Sequence, residues 1–337
     1  MQAGISRDSG PPFLKGLWTE GWENQWVNDA IYAAVQVGCP KQPPRLPLDA
    51  PLLFSPSYLC KIRLPASSFV SALDLRKMSK RILRLAFLHL APLPGDLTHN
   101  RRLIETAITT AAGAGATWII TPELAVCGYT FADRIGTDWI VPQPDAWMMS
   151  LCRLAARYGV ALFLSYPERD RRVSTLYNSL FVIGPDGTIV GTHRKINTLR
   201  VGSESWSTPG KQATPVPIVP FDRVGLLICA DAFSTRIAES LRVQGARILV
   251  SSAAWAPGLH GPNGEWERCT RKTGLPLFVC NRTGPDTTLN FTQAVSVVVK
   301  DGRRLLSLSS TRSTVFAINW NLDTEDMATP AYQRIEL

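Results

Sequence analysis

The chain has 337 residues, of which 45% are apolar, 19% charged and 9% aromatic, a globular composition that excludes collagen-like, coiled-coil and wholly disordered chains. Its net charge of +9 is scattered, with no arginine-rich run interleaved with aromatics, so nucleic acid is not an expected partner, and no long uninterrupted apolar run marks a membrane span. Seven cysteines with no CxxC pair and no metal-like Cys/His spacing point to reduced thiols, a cytoplasmic setting and no bound metal.

In chain order, Trp18, Trp22, Trp26 and Ile31 fit a short helix, and a stretch rich in proline follows (Pro40, Pro43, Pro44, Pro47, Pro51, Pro56, Pro65) that admits neither regular helix nor central strand. Residues 1–77 are therefore expected to be a proline-rich N-terminal extension, poorly structured or upstream sequence read as protein, because Met78-Ser79-Lys80 leads directly into the first patterned strand. From there the pattern is regular, and residues 78–337 read as one domain. Ile82 to Leu90 alternates as a strand, Asn100 to Ala112 has helical spacing, Trp118 to Ile120 is a short buried strand, Pro144 to Tyr158 is an amphipathic helix and Val160 to Ser165 another strand. Ser179 to Ile183 and Thr188 to His193 form a hairpin across Pro185-Asp186-Gly187. Strands at Val224 to Ile228, Ile248 to Ser251 and Leu277 to Cys280 alternate with helices near Ser234 to Gln244 and Glu265 to Lys272. Strands at Ala294 to Val299, Leu305 to Leu308 and Val315 to Asn319 close the chain. Alternating helices and strands with antiparallel hairpins specify an α/β protein with mixed sheets.

Three polar side chains stand directly after apolar strands, where open sheets gather ligands: Glu123, Lys195 and Cys229. Each alone has an ordinary explanation. Cys229 suits core packing, Glu123 a helix start, and Lys195 a solvated charge. Together a thiol, a carboxylate and an ammonium make an acyl-transfer site: Glu123 takes the thiol proton, and Lys195 and the backbone N–H of Ala230 hold the oxyanion. A Cys–His pairing is the alternative, with His193 on the same strand face as Lys195.

Thr121-Pro122-Glu123-Leu124, His193-Arg194-Lys195-Ile196 and Leu227-Ile228-Cys229-Ala230-Asp231 resemble the three signatures of the nitrilase superfamily of carbon–nitrogen hydrolases. Tyr177-Asn178-Ser179 with Gly184-Pro185-Asp186-Gly187, Gly245 to Val250 with Ala253-Ala254-Trp255, and Cys280-Asn281-Arg282-Thr283-Gly284 extend the likeness over about residues 81–320. The resemblance implies a four-layer αββα sandwich, a homodimer or larger homo-oligomer, no cofactor, and a triad of Glu123 as general base and acid, Lys195 as oxyanion stabiliser and Cys229 as nucleophile. It also implies that Glu204 orients the lysine. Cleavage of a small amide or N-carbamoyl compound through a cysteine thioester is expected. Hydrolysis of a nitrile, transfer of the acyl group to an amine, glutamine hydrolysis feeding a synthetase and a non-catalytic binding role on the same fold are the alternatives.

Two departures from the family pattern bear on the substrate. True nitrilases tend to carry an aromatic residue and then a glutamate after the nucleophile, where this chain has Ala230 and Asp231. This favours an amide or ureido substrate over a nitrile and leaves room in the pocket. Arg268-Cys269-Thr270-Arg271-Lys272 also lacks an acidic residue found there in relatives. Tyr129, Ala230, Trp255, His260 and Glu265 are candidate substrate contacts, Glu168 is expected to be structural, and Asp231 is expected to fix the turn after Cys229.

Overall fold

A computed structural model describes residues 81–199, 202–258 and 261–337. The extension over 1–77 and His260 lie outside the described residues. Strands β1 (Ile82–His89), β2 (Trp118–Ile120), β3 (Ala161–Arg169), β4 (Leu176–Ile183) and β5 (Ile189–Arg194) form a seven-stranded sheet with β12 (Thr314–Asn321) and β13 (Asp326–Glu336), in the order β13-β12-β1-β2-β3-β4-β5. The second sheet has six strands, β11-β10-β9-β8-β7-β6, built from β6 (Val216–Ile218), β7 (Phe221–Ile228), β8 (Ile248–Ala253), β9 (Leu277–Asn281), β10 (Ser296–Lys300) and β11 (Arg303–Leu308). Helices α1 (Leu97–Gly113), α2 (Ala132–Ile135), α3 (Ala146–Tyr158), α4 (Thr235–Val243) and α5 (Glu265–Thr273) complete the domain.

The sequence of β1 shows why the layers stack as they do. Leu85 and Phe87 point toward the second sheet, in a cluster with Leu226, Ile228 and Val250, while Ala86 and Leu88 point the other way, onto Ile104, Ala107 and Ile108 of α1 and Met148 and Leu151 of α3. A strand covered on both faces reads as an almost continuous apolar run, and burying each large side chain contributes about 1.5–3 kcal/mol. The second sheet likewise carries Ala238 and Leu241 of α4 and Trp266 and Cys269 of α5 in its cluster. The result is the helix–sheet–sheet–helix order that the family resemblance implies. Trp118 pins the sheets together: its ring packs on Phe163 and Phe221, and its indole N–H donates to the carbonyl of Val219 at 2.7 Å.

The expected strands and helices stand within a few residues of their sequence positions, with informative exceptions. β3 continues to Arg169 through Pro167, four residues beyond the strand end at Ser165 read from the sequence. Proline lacks a ladder donor, but β2 pairs with only Ala161 to Phe163, so Pro167 lies beyond that partner and faces β4 alone. β6 contains Pro217 and is an edge strand for the same reason. β13, the other sheet's edge, is mostly exposed and carries no apolar alternation to reveal it.

Topology gathers strand ends from both sheets. β2 and β3 are parallel, β4 is antiparallel to β3 and β5 to β4, so the ends of β2 and β5 and the start of β4 share one edge. β7 and β8 run parallel in the facing sheet.

Candidate active site

Glu123 stands three residues past β2, and its backbone N–H donates to the carbonyl of Ala253 at the end of β8, 3.2 Å away, so the two sheets meet at this residue. Lys195 follows β5 directly, its backbone N–H bonded to the carbonyl of Asn178 at 2.8 Å. Glu204 lies in a single 3-10 turn, Gly202–Glu204. All three side chains are fully buried. The Lys195 ammonium donates to Glu123 Oε1 and to both oxygens of Glu204, each at 2.7 Å. A second donor bridges the same carboxylates: Asn178 Nδ2 is 2.8 Å from Glu123 Oε1 and 2.8 Å from Glu204 Oε1. The N–H of Ala254 reaches Glu123 Oε2 at 2.9 Å, and the N–H of Leu199 and the Tyr129 hydroxyl both reach Glu204 Oε2 at 3.2 Å.

Burial and charge act against each other here. Burial pulls the Lys195 ammonium downward, but the carboxylates of Glu123 and Glu204 outweigh it and hold the amine well above its usual range. It is a cation at every physiological pH. Burial raises the Glu123 carboxyl, reinforced by the charge of Glu204 and opposed by Lys195 and Asn178. Burial also pushes Tyr129 well up, so its hydroxyl stays a donor.

Cys229 follows β7 directly on a sharp bend, with Ile228 extended at φ −125° and Cys229 in the left-handed region at φ 44°. Non-glycine residues rarely adopt this conformation, and it turns the thiol out of the strand. The side chain is nearly buried, and the charges of Glu123, Lys195 and Glu204 all act on it. Burial, then Glu123, lifts the thiol well above its ordinary value against the pull of Lys195. Cys229 therefore rests as a thiol until a base removes its proton.

Asp231 holds the bend. Its buried carboxylate accepts from the N–H groups of Ile228, Ile196 and Asn197, each at 2.9 Å, and contacts His193 Nε2 at 2.8 Å. Those bonds outweigh the effect of burial, so its carboxyl lies below the usual range. Asp231 thus holds the turn at Cys229, the role expected of it, and in addition ties that bend to the segment carrying Lys195, with His193 turned to it. Asn197 Nδ2 adds a bond to the carbonyl of Ala230 at 3.2 Å.

The other candidates divide. Tyr129 joins the cluster, and its backbone N–H is held by Asp286 Oδ2 at 3.2 Å, within a buried Arg282–Asp286 ion pair that also engages Thr130. Ala230 follows the thiol in the same bend. Trp255 comes directly after the N–H that binds Glu123, and is clamped through its backbone N–H and carbonyl by Asn281, both at 3.0 Å. Glu265 begins α5, where its carboxylate receives Arg268 at 2.7 Å and the N–H of Asn263; the structure does not bring it to the cluster. Glu168 pairs with Arg194. Asn178 was visible in the sequence only as part of a hairpin likeness. The one signal that singles it out is a lone amide two residues before Leu180 and four before Val182, which both face the inter-sheet core. Among the described residues no group of three or more His, Cys, Asp or Glu side chains is disposed to hold a metal ion.

Residues 84–316 match the family model described as carbon-nitrogen hydrolase. The chain belongs to the carbon–nitrogen hydrolase family. A probable nitrilase of Schizosaccharomyces pombe is 23% identical over 248 residues, which cover 71% of this chain and 89% of that protein. An omega-amidase of Danio rerio is 30% identical over 191 residues, 53% of this chain and 65% of that one. Among solved structures, a mutant amidase from Nesterenkonia sp. AN1 superposes with a TM-score of 0.60 at 22% identity, covering 71% of this chain and 90% of the other, and shows covalent addition of the acetamide moiety of fluoroacetamide at its active-site cysteine. The chain is thus a carbon–nitrogen hydrolase of the nitrilase superfamily with the αββα fold.

Proposed function

We propose that this hydrolase cleaves the non-peptide carbon–nitrogen bond of a small amide or N-carbamoyl compound through a thioester on Cys229. The observation that carries this reading is the buried Lys195 ammonium shared between Glu123 and Glu204 beside a cysteine on a left-handed bend. A buried charge cluster of this kind is weak evidence for stability, because desolvating three ionisable groups costs more than their pairing returns, and such clusters gather at functional sites.

Glu123, made more basic by burial, takes the proton of Cys229 Sγ, and the sulfur attacks the carbonyl carbon. The oxygen becomes an oxyanion, stabilised by the Lys195 ammonium and the N–H of Ala230. The C–N bond then breaks, and the amine or ammonia leaves with the proton from Glu123. Water attacks the thioester with Glu123 again as base. A carboxylate is released, or a carbamate from a ureido substrate, and the thiol is restored. Glu204 holds the ammonium in place, and Tyr129, Ala230 and Trp255 line the substrate side. No cofactor enters these steps. We infer a cytoplasmic enzyme that acts on small molecules as a homodimer or larger homo-oligomer.

The acetamide moiety carried by the active-site cysteine of the Nesterenkonia amidase shows a nucleophilic thiol in that protein and supports Cys229 as the nucleophile here. Ala230-Asp231 after the thiol supports an amide or ureido group over a nitrile. The test is a panel of amides, ureido acids and nitriles, with ammonia release and the fate of the acyl group both followed. Turnover of an amide or ureido acid that vanishes in Cys229→Ala is expected. Turnover confined to nitriles, acyl transfer to an added amine, or substantial activity left in Cys229→Ala overturns the reading.

A further inference from the structure

We infer that Asn178 is a positioning residue that directs the proton of Cys229 to one oxygen of Glu123, Oε2, by occupying the other. The inference rests on the reading of Glu123 as the base and adds which atom of it acts.

The argument is one of donors and acceptors. Glu123 Oε1 has two neighbours at hydrogen-bond distance, the Lys195 ammonium at 2.7 Å and the Asn178 amide nitrogen at 2.8 Å. Both groups donate and neither accepts, so a proton on Oε1 would face two other protons. Oε2 has one donor, the N–H of Ala254 at 2.9 Å, and keeps a lone pair. The transferred proton therefore settles on Oε2: the S–H bond of Cys229 breaks, an O–H bond forms at Oε2, and the charge moves from carboxylate to sulfur.

The orientation of the Asn178 amide is fixed by its surroundings. Its nitrogen faces two carboxylate oxygens that only accept, Glu123 Oε1 and Glu204 Oε1 at 2.8 Å each, and a flipped amide would set a carbonyl oxygen against both. Its backbone is fixed too. The N–H donates to Ser207 Oγ at 3.0 Å, and the carbonyl accepts the N–H of Lys195 at 2.8 Å, so the two donors of Oε1 enter side by side from neighbouring strands. The side chain is fully buried.

An amide suits the position because it is neutral. A second cation would hold Glu123 ionised and weaken it as a base, while an apolar side chain would leave two buried carboxylates to share one ammonium. The charged and titratable groups acting on Glu123 come from several elements: Lys195 after β5, Glu204 in its 3-10 turn, Cys229 after β7, and Cys127 and Tyr129 in the segment after β2. The Asn178 amide donates more strongly to the ionised form of Glu123 than to the protonated one, which draws its carboxyl downward.

The test needs no knowledge of the substrate. The rate of Cys229 alkylation by iodoacetamide, read by mass spectrometry of the Cys229 peptide, is measured against pH in wild type, Asn178→Ala, Asn178→Ser and Glu123→Gln. In wild type the rate rises as Glu123 ionises. Losing one hydrogen bond to the charged form moves this rise upward by about one pH unit in Asn178→Ala. Asn178→Ser, whose hydroxyl retains a donor, shifts less in the same direction and carries the test if the alanine variant folds poorly. Glu123→Gln removes the rise. A rise that disappears in Glu123→Gln but stays in place in a folded Asn178 variant overturns this inference alone. A rise that survives Glu123→Gln overturns the reading of Glu123 as base.

Discussion

Lys195→Met replaces the ammonium by an uncharged side chain of similar length, and its consequence follows from the contacts of one atom. Lys195 Nζ makes three bonds of 2.7 Å to two carboxylates that are fully buried. Each bond to a charged group is worth about 1.5–3 kcal/mol, and without them Glu123 and Glu204 face one another across Asn178 alone. The pair recovers part of this by taking up and sharing a proton, which leaves a net loss of about 3–5 kcal/mol near pH 8, the range for removing one partner of a buried ion pair. The sign with pH follows. Burial already raises the Glu123 carboxyl against the pull of Lys195, and without the cation it rises further above its unfolded value of about 4, so the loss is small near pH 4 and grows as pH rises and the buried carboxyl must ionise. Urea unfolding at one protomer concentration, near pH 5 and near pH 8, measures it. The double variant Lys195→Met/Glu204→Gln regains at least half of the loss, because one carboxylate remains and the new amide can donate to it. A loss below about 1 kcal/mol near pH 8, or one independent of pH, would refute the reasoning.

Intact-mass measurement of wild type, quenched in acid during turnover of a panel of amides and of the corresponding esters, detects an acyl adduct on Cys229 that Cys229→Ala lacks; no adduct with any turned-over substrate counts against the covalent route. Asp231→Asn lowers stability by about 3 kcal/mol at neutral pH, since a single amide oxygen cannot accept from all three N–H groups that the carboxylate serves. Because the Asp231 carboxyl is held below its usual range, its contribution is complete above about pH 4 and is lost as pH falls through the folded value; unfolding curves of wild type and variant therefore converge in acid. Gly210 donates to the carbonyl of Lys195 at 2.7 Å, and a Cβ there would stand well inside contact distance of the Arg194 carbonyl oxygen. Gly210→Ala thus displaces the lysine, and kcat is expected to fall at least tenfold with far-ultraviolet circular dichroism unchanged.

Most elements were legible because their cause is local. The two-residue alternation of β1 and the three-to-four-residue spacing of α1 depend on neighbours along the chain, and strands covered on both faces announce themselves as apolar runs. β13 was silent because an exposed edge strand has no buried face to pattern. The run of β3 past Ser165 through Pro167 was not legible, because nothing local shows that β2 ends before reaching it.

The same division holds at the site. The sequence by itself determined which chemistry is at hand: a carboxylate, an ammonium and a thiol, each set directly after an apolar strand. Only the tertiary structure decided how they act on one another. Glu123, Asn178, Lys195 and Glu204 come from separate segments, and it is the order β2-β3-β4-β5, facing β7 and β8, that sets them around one ammonium. Asn178 acquires its task only there, since an amide in a strand is unremarked until two buried carboxylates stand 2.8 Å from it. The physical reason is range. Backbone propensity and hydrophobic pattern act over a few residues, whereas desolvation and charge pairing act through space, on groups that the chain separates and the fold brings together.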